Sequence, residues 1–185
     1  MSRLHHLSAN ASSKQKLSAS TAFAGFARLA LWGLAGSFGV SSGAHAQGLP
    51  TNGVVTVGQA RISGNASSVT INQSSQNTAI NWQTFNIAQG NSVVFVQPNS
   101  KSVALNRVVG GDASAIFGTL SANGKVFLIN PNGVLFGRTA QVNVGGLVAS
   151  TLDLSDADFM AGRYKFSGSS RAAVLNQGTI NADGG

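Results

Sequence analysis

The 185-residue chain contains no cysteine and no glutamate, and its three histidines stand at positions 5, 6 and 45. Each absence removes a class of chemistry. Without Cys, no disulfide can reinforce a thin core, so stability has to come from another source. Beyond residue 46 there is no His, Cys or Glu at all. General acid–base catalysis loses its commonest side chain. A Ser-His-Asp or Cys-His arrangement cannot be assembled there, and a zinc ion finds neither imidazole nor thiolate.

Charge is scarce too, at 9% of residues, and its net value of +7 is unevenly spread. Arg3, Lys14, Lys16 and Arg28 fall in the first 28 residues with no acid among them. From Gln47 onward the cations are scattered singly (Arg61, Lys101, Arg107, Lys125, Arg138, Arg163, Lys165, Arg171) against five Asp. Nucleic-acid binding calls for a clustered basic face, so no nucleic-acid partner is expected.

The basic lead is followed by an apolar run, residues 29–40, and then by Ala44-His45-Ala46, a small-x-small cleavage pattern. Residues 1–46 read as an extended signal peptide cleaved before Gln47. An N-terminal anchor is the competing reading, but the run is short and Gly-rich beside the roughly 20 apolar residues that a span requires.

The remainder, residues 47–185, is poor in helix formers and rich in Val, Ile, Thr, Asn, Gly and Ser, the residues of strands and turns. Short strands are predicted at 54–57, 69–72, 79–82, 93–96, 103–106, 126–129, 134–136, 141–144, 147–150, 174–176 and 179–181, punctuated by Gly, Asn, Pro or Ser. The continuous apolar runs "VVFV" and "VFLI" predict strands covered on both faces, whereas "SVTIN" and "AQVNV" predict one wet face. One helical turn is expected after Ser155, with Asp156 and Asp158 at its positive end and Gly162 as its stop. Sandwich, barrel and parallel solenoid all remain open to such a chain. Abundant Asn in the gaps, which can stack as amide ladders, places the solenoid just ahead of the sandwich, although strict periodicity is absent. The tail "VLNQGTINADGG" reads as the start of another rung without a polar cap, so the natural protein is expected to continue past residue 185 or to be a truncated piece.

Sites of chemistry are few. Asp153, Asp156 and Asp158 offer oxygen ligands for calcium, but helix capping and solvation explain them better. Gly110-Gly111-Asp112 has the look of a calcium-repeat fragment but occurs once. Asn123-Gly124-Lys125 lacks the remaining residues of a phosphate loop, and Asn123-Gly124 reads as a tight turn. No metal, cofactor or catalytic set emerges, and a carbohydrate-cleaving solenoid enzyme lacks nameable carboxylates. One stretch stands out: Asn130-Pro131-Asn132-Gly133 interrupts the apolar runs 126–129 and 134–136. These residue types in this order fit a type I turn: Asn accepting backbone bonds, Pro fixing φ, Asn tolerating the third position and Gly the fourth.

The surrounding sequence adds a resemblance. "INWQTFNIAQGNSVVFVQPNSKSVALNRVVGGDASAIFGTLSANGKVFLINPNGVLFG", continued by "VASTLDLSDADFMAG", resembles the secretion domain of two-partner secretion (TPS) exoproteins, the filamentous haemagglutinin N-terminal family. The likeness runs from about residue 49 to 185, and Asn130, Pro131, Asn132 and Gly133 match that family's Asn-Pro-Asn-Gly motif in full. The second family motif, Asn-Pro-Asn-Leu, has its nearest counterpart in Gln97-Pro98-Asn99-Ser100, which keeps only Pro98 and Asn99. That places the chain nearest the high-molecular-weight adhesin branch. Asn106 and Arg107 lie in the shared "ALNRV" segment, where Asn106 can be either a buried ladder residue or a contact.

The resemblance implies an all-β, right-handed parallel β-helix with extra short strands and one short helical turn, opening a large exported adhesin or haemolysin of a Gram-negative bacterium. It also implies export through the general machinery into the periplasm, recognition by the POTRA domains of a cognate outer-membrane β-barrel transporter, and release or display at the cell surface. Contact with a host-cell receptor would belong to later regions. Asn130–Gly133 would act either as a direct contact or as a corner that sets folding order. The rival readings are a surface adhesin fragment binding host glycan or protein directly, and an enzyme on a β-helix. Mass spectrometry of the exported protein is expected to find an N-terminus at Gln47; a product retaining residues 29–40 would establish the anchor instead.

Overall fold

The structure, a computed structural model, describes residues 48–183. Its strands are β1 (Val54–Val57), β2 (Ala60–Gly64), β3 (Ser68–Gln73), β4 (Asn77–Trp82), β5 (Ser92–Val96), β6 (Val103–Val108), β7 (Ser114–Ile116), β8 (Thr119–Ala122), β9 (Lys125–Ile129), β10 (Val134–Phe136), β11 (Gln141–Val144), β12 (Gly146–Ser150), β13 (Val174–Asn176) and β14 (Thr179–Ala182), with one helix, α1 (Asp156–Met160). All eleven predicted strands are present. The helical turn begins at Ser155, whose hydroxyl accepts from the Asp158 amide, and is followed by Gly162 at φ +69°.

Strand order defines a parallel β-solenoid. One sheet runs β1-β4-β6-β9-β12, a second β13-β10-β7, and a third β14-β11-β8-β5-β3-β2. The chain visits the three in rotation, so each coil lays its strands parallel to those of the coil before. Two antiparallel strands, β1 on β4 and β2 on β3, occupy the outer positions beside the first coil. They cover edges that would otherwise offer unpaired backbone.

Each coil works because strand side chains alternate. Inward residues stack in register from coil to coil: Val69, Val93, Leu120, Val142 and Ile180 form one such column. Ile71, Phe95, Ile116, Phe136 and Trp82 fill the interior around it and are essentially inaccessible. A second, smaller core lies outside the barrel of coils, where Leu154 and Phe159 cover Ala79, Val103, Leu105, Phe127 and Ile129.

Two expectations need correction. β2, β7 and β8 were not predicted: "ARISG", "SAI" and "TLSA" are too short or too polar to stand out. "VVFV" has a wet face, with Val94 half-buried and Val96 49% exposed, because none of the described residues covers that side of the third sheet. "VFLI" is buried on both faces, as predicted, because the second core covers it. Asn123-Gly124 is the two-residue turn between β8 and β9, which belong to different sheets. Leu120→Ala is expected to cost about 2–5 kcal/mol in urea unfolding of the folded domain, and Val96→Ala less than about 0.5 kcal/mol.

Candidate functional site

The Asn-Pro-Asn-Gly motif is the corner between β9 and β10. The Gly133 amide donates to the Asn130 carbonyl at 3.0 Å, which closes the turn. Inside it, the Asn132 amide donates to Asn130 Oδ1 at 2.9 Å. Among the described residues only Asn52 and certain glycines have positive φ, so Pro131 and Asn132 keep the negative values of a type I turn. Gly133 sits at φ +112°, a conformation that favours glycine, and a Cβ there would lie a tight 3.2 Å from the Ala173 carbonyl.

The four residues divide by exposure. Asn130 is wholly buried and Gly133 is buried, while Pro131 and Asn132 face solvent. Asn130 Nδ2 donates to the Asp112 carbonyl and to Ser114 Oγ, both at 3.0 Å. Its amide donates to the Ser150 carbonyl at 2.9 Å. The Gly133 carbonyl accepts from Ser114 and the Ala173 carbonyl from Val134. Ser170 Oγ donates to the Pro131 carbonyl at 2.6 Å, and Asn132 Nδ2 to the Gly110 carbonyl at 2.9 Å. The corner is therefore stapled to residues 110–114 before it and to Ser150 and 170–173 after it. Burying the Asn130 amide without these partners would be costly, so the site forms only when its neighbours are in place.

The residues of the weaker motif separate in the same way. Gln97 is buried: its Nε2 donates to Gln73 Oε1 (3.1 Å) and to the Lys125 carbonyl, and its Oε1 accepts from the Gly124 amide. Pro98 and Asn99 are exposed, Asn99 exchanging amide bonds with Gln76. Amide stacking thus exists, but its buried rung is a Gln pair, while the Asn143–Asn181 pair lies on the surface. Asn106 is a core residue, fully buried, accepting from Trp82 Nε1 at 3.0 Å and donating to the carbonyls of Ala104 and Phe127.

Arg107 points the other way, to the outer face. It donates from Nε to Asp153 (2.7 Å), from Nη2 to Asp156 (2.9 Å) and the Leu154 carbonyl, and from Nη1 to Asn81. Partial burial opposes its charge, but the bonds and charges of Asp153 and Asp156 outweigh that, and its pKa is raised. Asp158 bonds to Ser155 and Arg163, and those two contacts hold its carboxyl below the usual range. Two of the three aspartates are thus committed to Arg107, and among the described residues no cluster of His, Cys, Asp or Glu is arranged to hold a metal. Ala44, Ala46 and Gln47 lie outside the described residues. The sequence does not single out Gln73, Ser114 or Ser170, because the partners that give them their places lie 24, 16 and 39 residues away.

Comparison with known proteins bears on the fold and the family. The sequence model of the TPS secretion domain matches residues 46–185. A heme/hemopexin-binding protein of Haemophilus influenzae strain Rd is 50% identical over 111 residues, covering 60% of this chain and 12% of that protein. A second heme/hemopexin-binding protein of the species is 48% identical over 101 residues, covering 55% and 11%. The crystal structure of the HMW1 secretion domain from Haemophilus influenzae superposes with a TM-score of 0.67 at 36% identity, covering 71% of this chain and 36% of that one. The chain thus spans a small part of the relatives' length. With a match over most of its residues and a shared solenoid, it belongs to the TPS secretion domain family, the secretion domains of two-partner exoproteins.

Proposed function

We propose that residues 47–185 are the N-terminal recognition module of a large exported exoprotein, read by the POTRA domains of a cognate outer-membrane transporter while the chain is still extended. Residues 1–46 direct it through the general export machinery and are removed. In the periplasm, strand-prone segments add to edges of the POTRA domains, where backbone bonds supply affinity and side-chain pockets supply choice. At the surface, coils stack in order, and the apolar area removed from water contributes roughly 25 cal/mol per Å² towards drawing the chain outward. The module itself is not catalytic.

The observation that carries this reading is the burial of Asn130 and Gly133 between coils on both sides. Once folded, the domain offers a partner only Pro131 and Asn132 of the motif. The motif's main part is therefore that of a folding corner, and the extended chain is what the transporter meets.

Co-expression with the cognate transporter tests both parts. Release is expected to require the transporter. Asn130→Ala leaves buried acceptors unpaired, is expected to weaken the folded domain by about 1–3 kcal/mol, and should lower secretion sharply. Asn132→Ala removes one exposed side-chain bond, should cost less than about 1 kcal/mol, and should leave secretion near normal. The reverse order of the two secretion defects would make the motif a direct contact.

A further inference from the structure

Between β12 and β13 the chain leaves the solenoid and crosses the outside of the first sheet. Its outward side chains there, Ala79, Val103, Leu105, Phe127 and Ile129, are nearly inaccessible because this segment covers them. Phe127 is the hub, with Tyr164, Phe166 and Phe159 at centroid distances of 5.0, 6.3 and 6.4 Å. Such aromatic contacts supply adhesion without fixing one direction of approach as a strand ladder does.

The polar connections are different in kind. The segment is closed on itself by the paired backbone bonds of Asp153 and Ser167 (2.9 and 2.8 Å), which tie its ends as in an Ω-loop. Its helix has five residues, too few to stand alone. From residues 153–167, no backbone bond reaches a strand of the solenoid, and every side-chain hydrogen bond to the solenoid goes through Arg107. The rest of the domain is held by continuous ladders.

We propose that residues 153–167 are a strap that opens and closes as a unit on a finished solenoid, with Arg107 as its single polar latch. Closure needs Arg107 from β6 and Phe127 and Ile129 from β9, and the strap follows β12, so it is the last of these pieces to be seated. Open, it bares an apolar sheet face; closed, it seals that face. The inference stands on the fold and does not depend on how the domain is recognised.

Amide hydrogen exchange on the intact folded protein tests it. The amides of Asp153, Phe159 and Ser167 are expected to exchange at least about tenfold faster than those of Leu105 and Leu128 in the ladder. Arg107→Met should speed the strap amides by about a further tenfold, leave the ladder amides unchanged, and add binding of an apolar dye. The double variant Asp153→Asn, Asp156→Asn, which leaves β6 untouched, should act in the same direction and serves if Arg107→Met fails to fold. Strap and ladder amides exchanging at one common rate, or accelerating together in the double variant, would overturn the proposal.

Discussion

Each coil of this solenoid can bury its inward side chains only if its strands land in register on the coil before. A slip of one residue would turn Leu120, Val142 and their neighbours outward and their polar partners inward. Everything else in the domain serves that constraint. Because the coils differ in length, with Asn77, Val103, Lys125 and Gly146 aligned across intervals of 26, 22 and 21 residues, register cannot come from a repeated sequence. It comes from the corners. Asn130 measures its coil against Asp112 and Ser114, and Gln97 measures its own against Gln73 and Gly124.

The same constraint connects fold to proposed function. A corner whose bonds are drawn from the coil before and the coil after has no stable form in an extended chain. In the proposed function, recognition before folding and assembly after passage would draw on different properties of one sequence: backbone and strand propensity first, inter-coil bonding second. Low charge and the absence of Cys suit the first stage, since few groups need desolvation and no bridge can form early. They leave the second stage to burial and to polar groups that are satisfied: among the described residues no buried side-chain polar atom lacks a partner.

The legible part of the fold was local. Strands such as Val126–Ile129 and Val134–Phe136 announce themselves by β-branched and aromatic residues between turn signals, and the helix cap at Ser155 is written in adjacent residues. Coil spacing was illegible because the unequal corners hide it. The turn at Asn130–Gly133 was readable as a turn. That Asn130 is buried and Asn132 exposed was not, since both are the same residue two positions apart, and their fates depend on Asp112 and Ser114 some 16–18 positions away. Arg107 looked like part of a motif; its partners, Asp153 and Asp156, lie 46 and 49 residues on, and nothing local connects them. Asp156 and Asp158 do stand in the first turn of the helix, but Asp153 and Asp156 also answer to an arginine on another element.

The central claim, that the transporter takes the chain before its coils have stacked, can be tested by locking two coils together. Ser68 and Ser92 face each other across β3 and β5 with their hydroxyls 3.1 Å apart, and the protein has no Cys to interfere. Replacing both with Cys places a pair within disulfide reach in neighbouring strands. The measurement is the amount of protein released by transporter-bearing cells with the periplasm oxidising and then with a reductant added. The account predicts that the cross-linked protein stays in the periplasm and is released once reduced; equal release with the disulfide shown to be intact would contradict it.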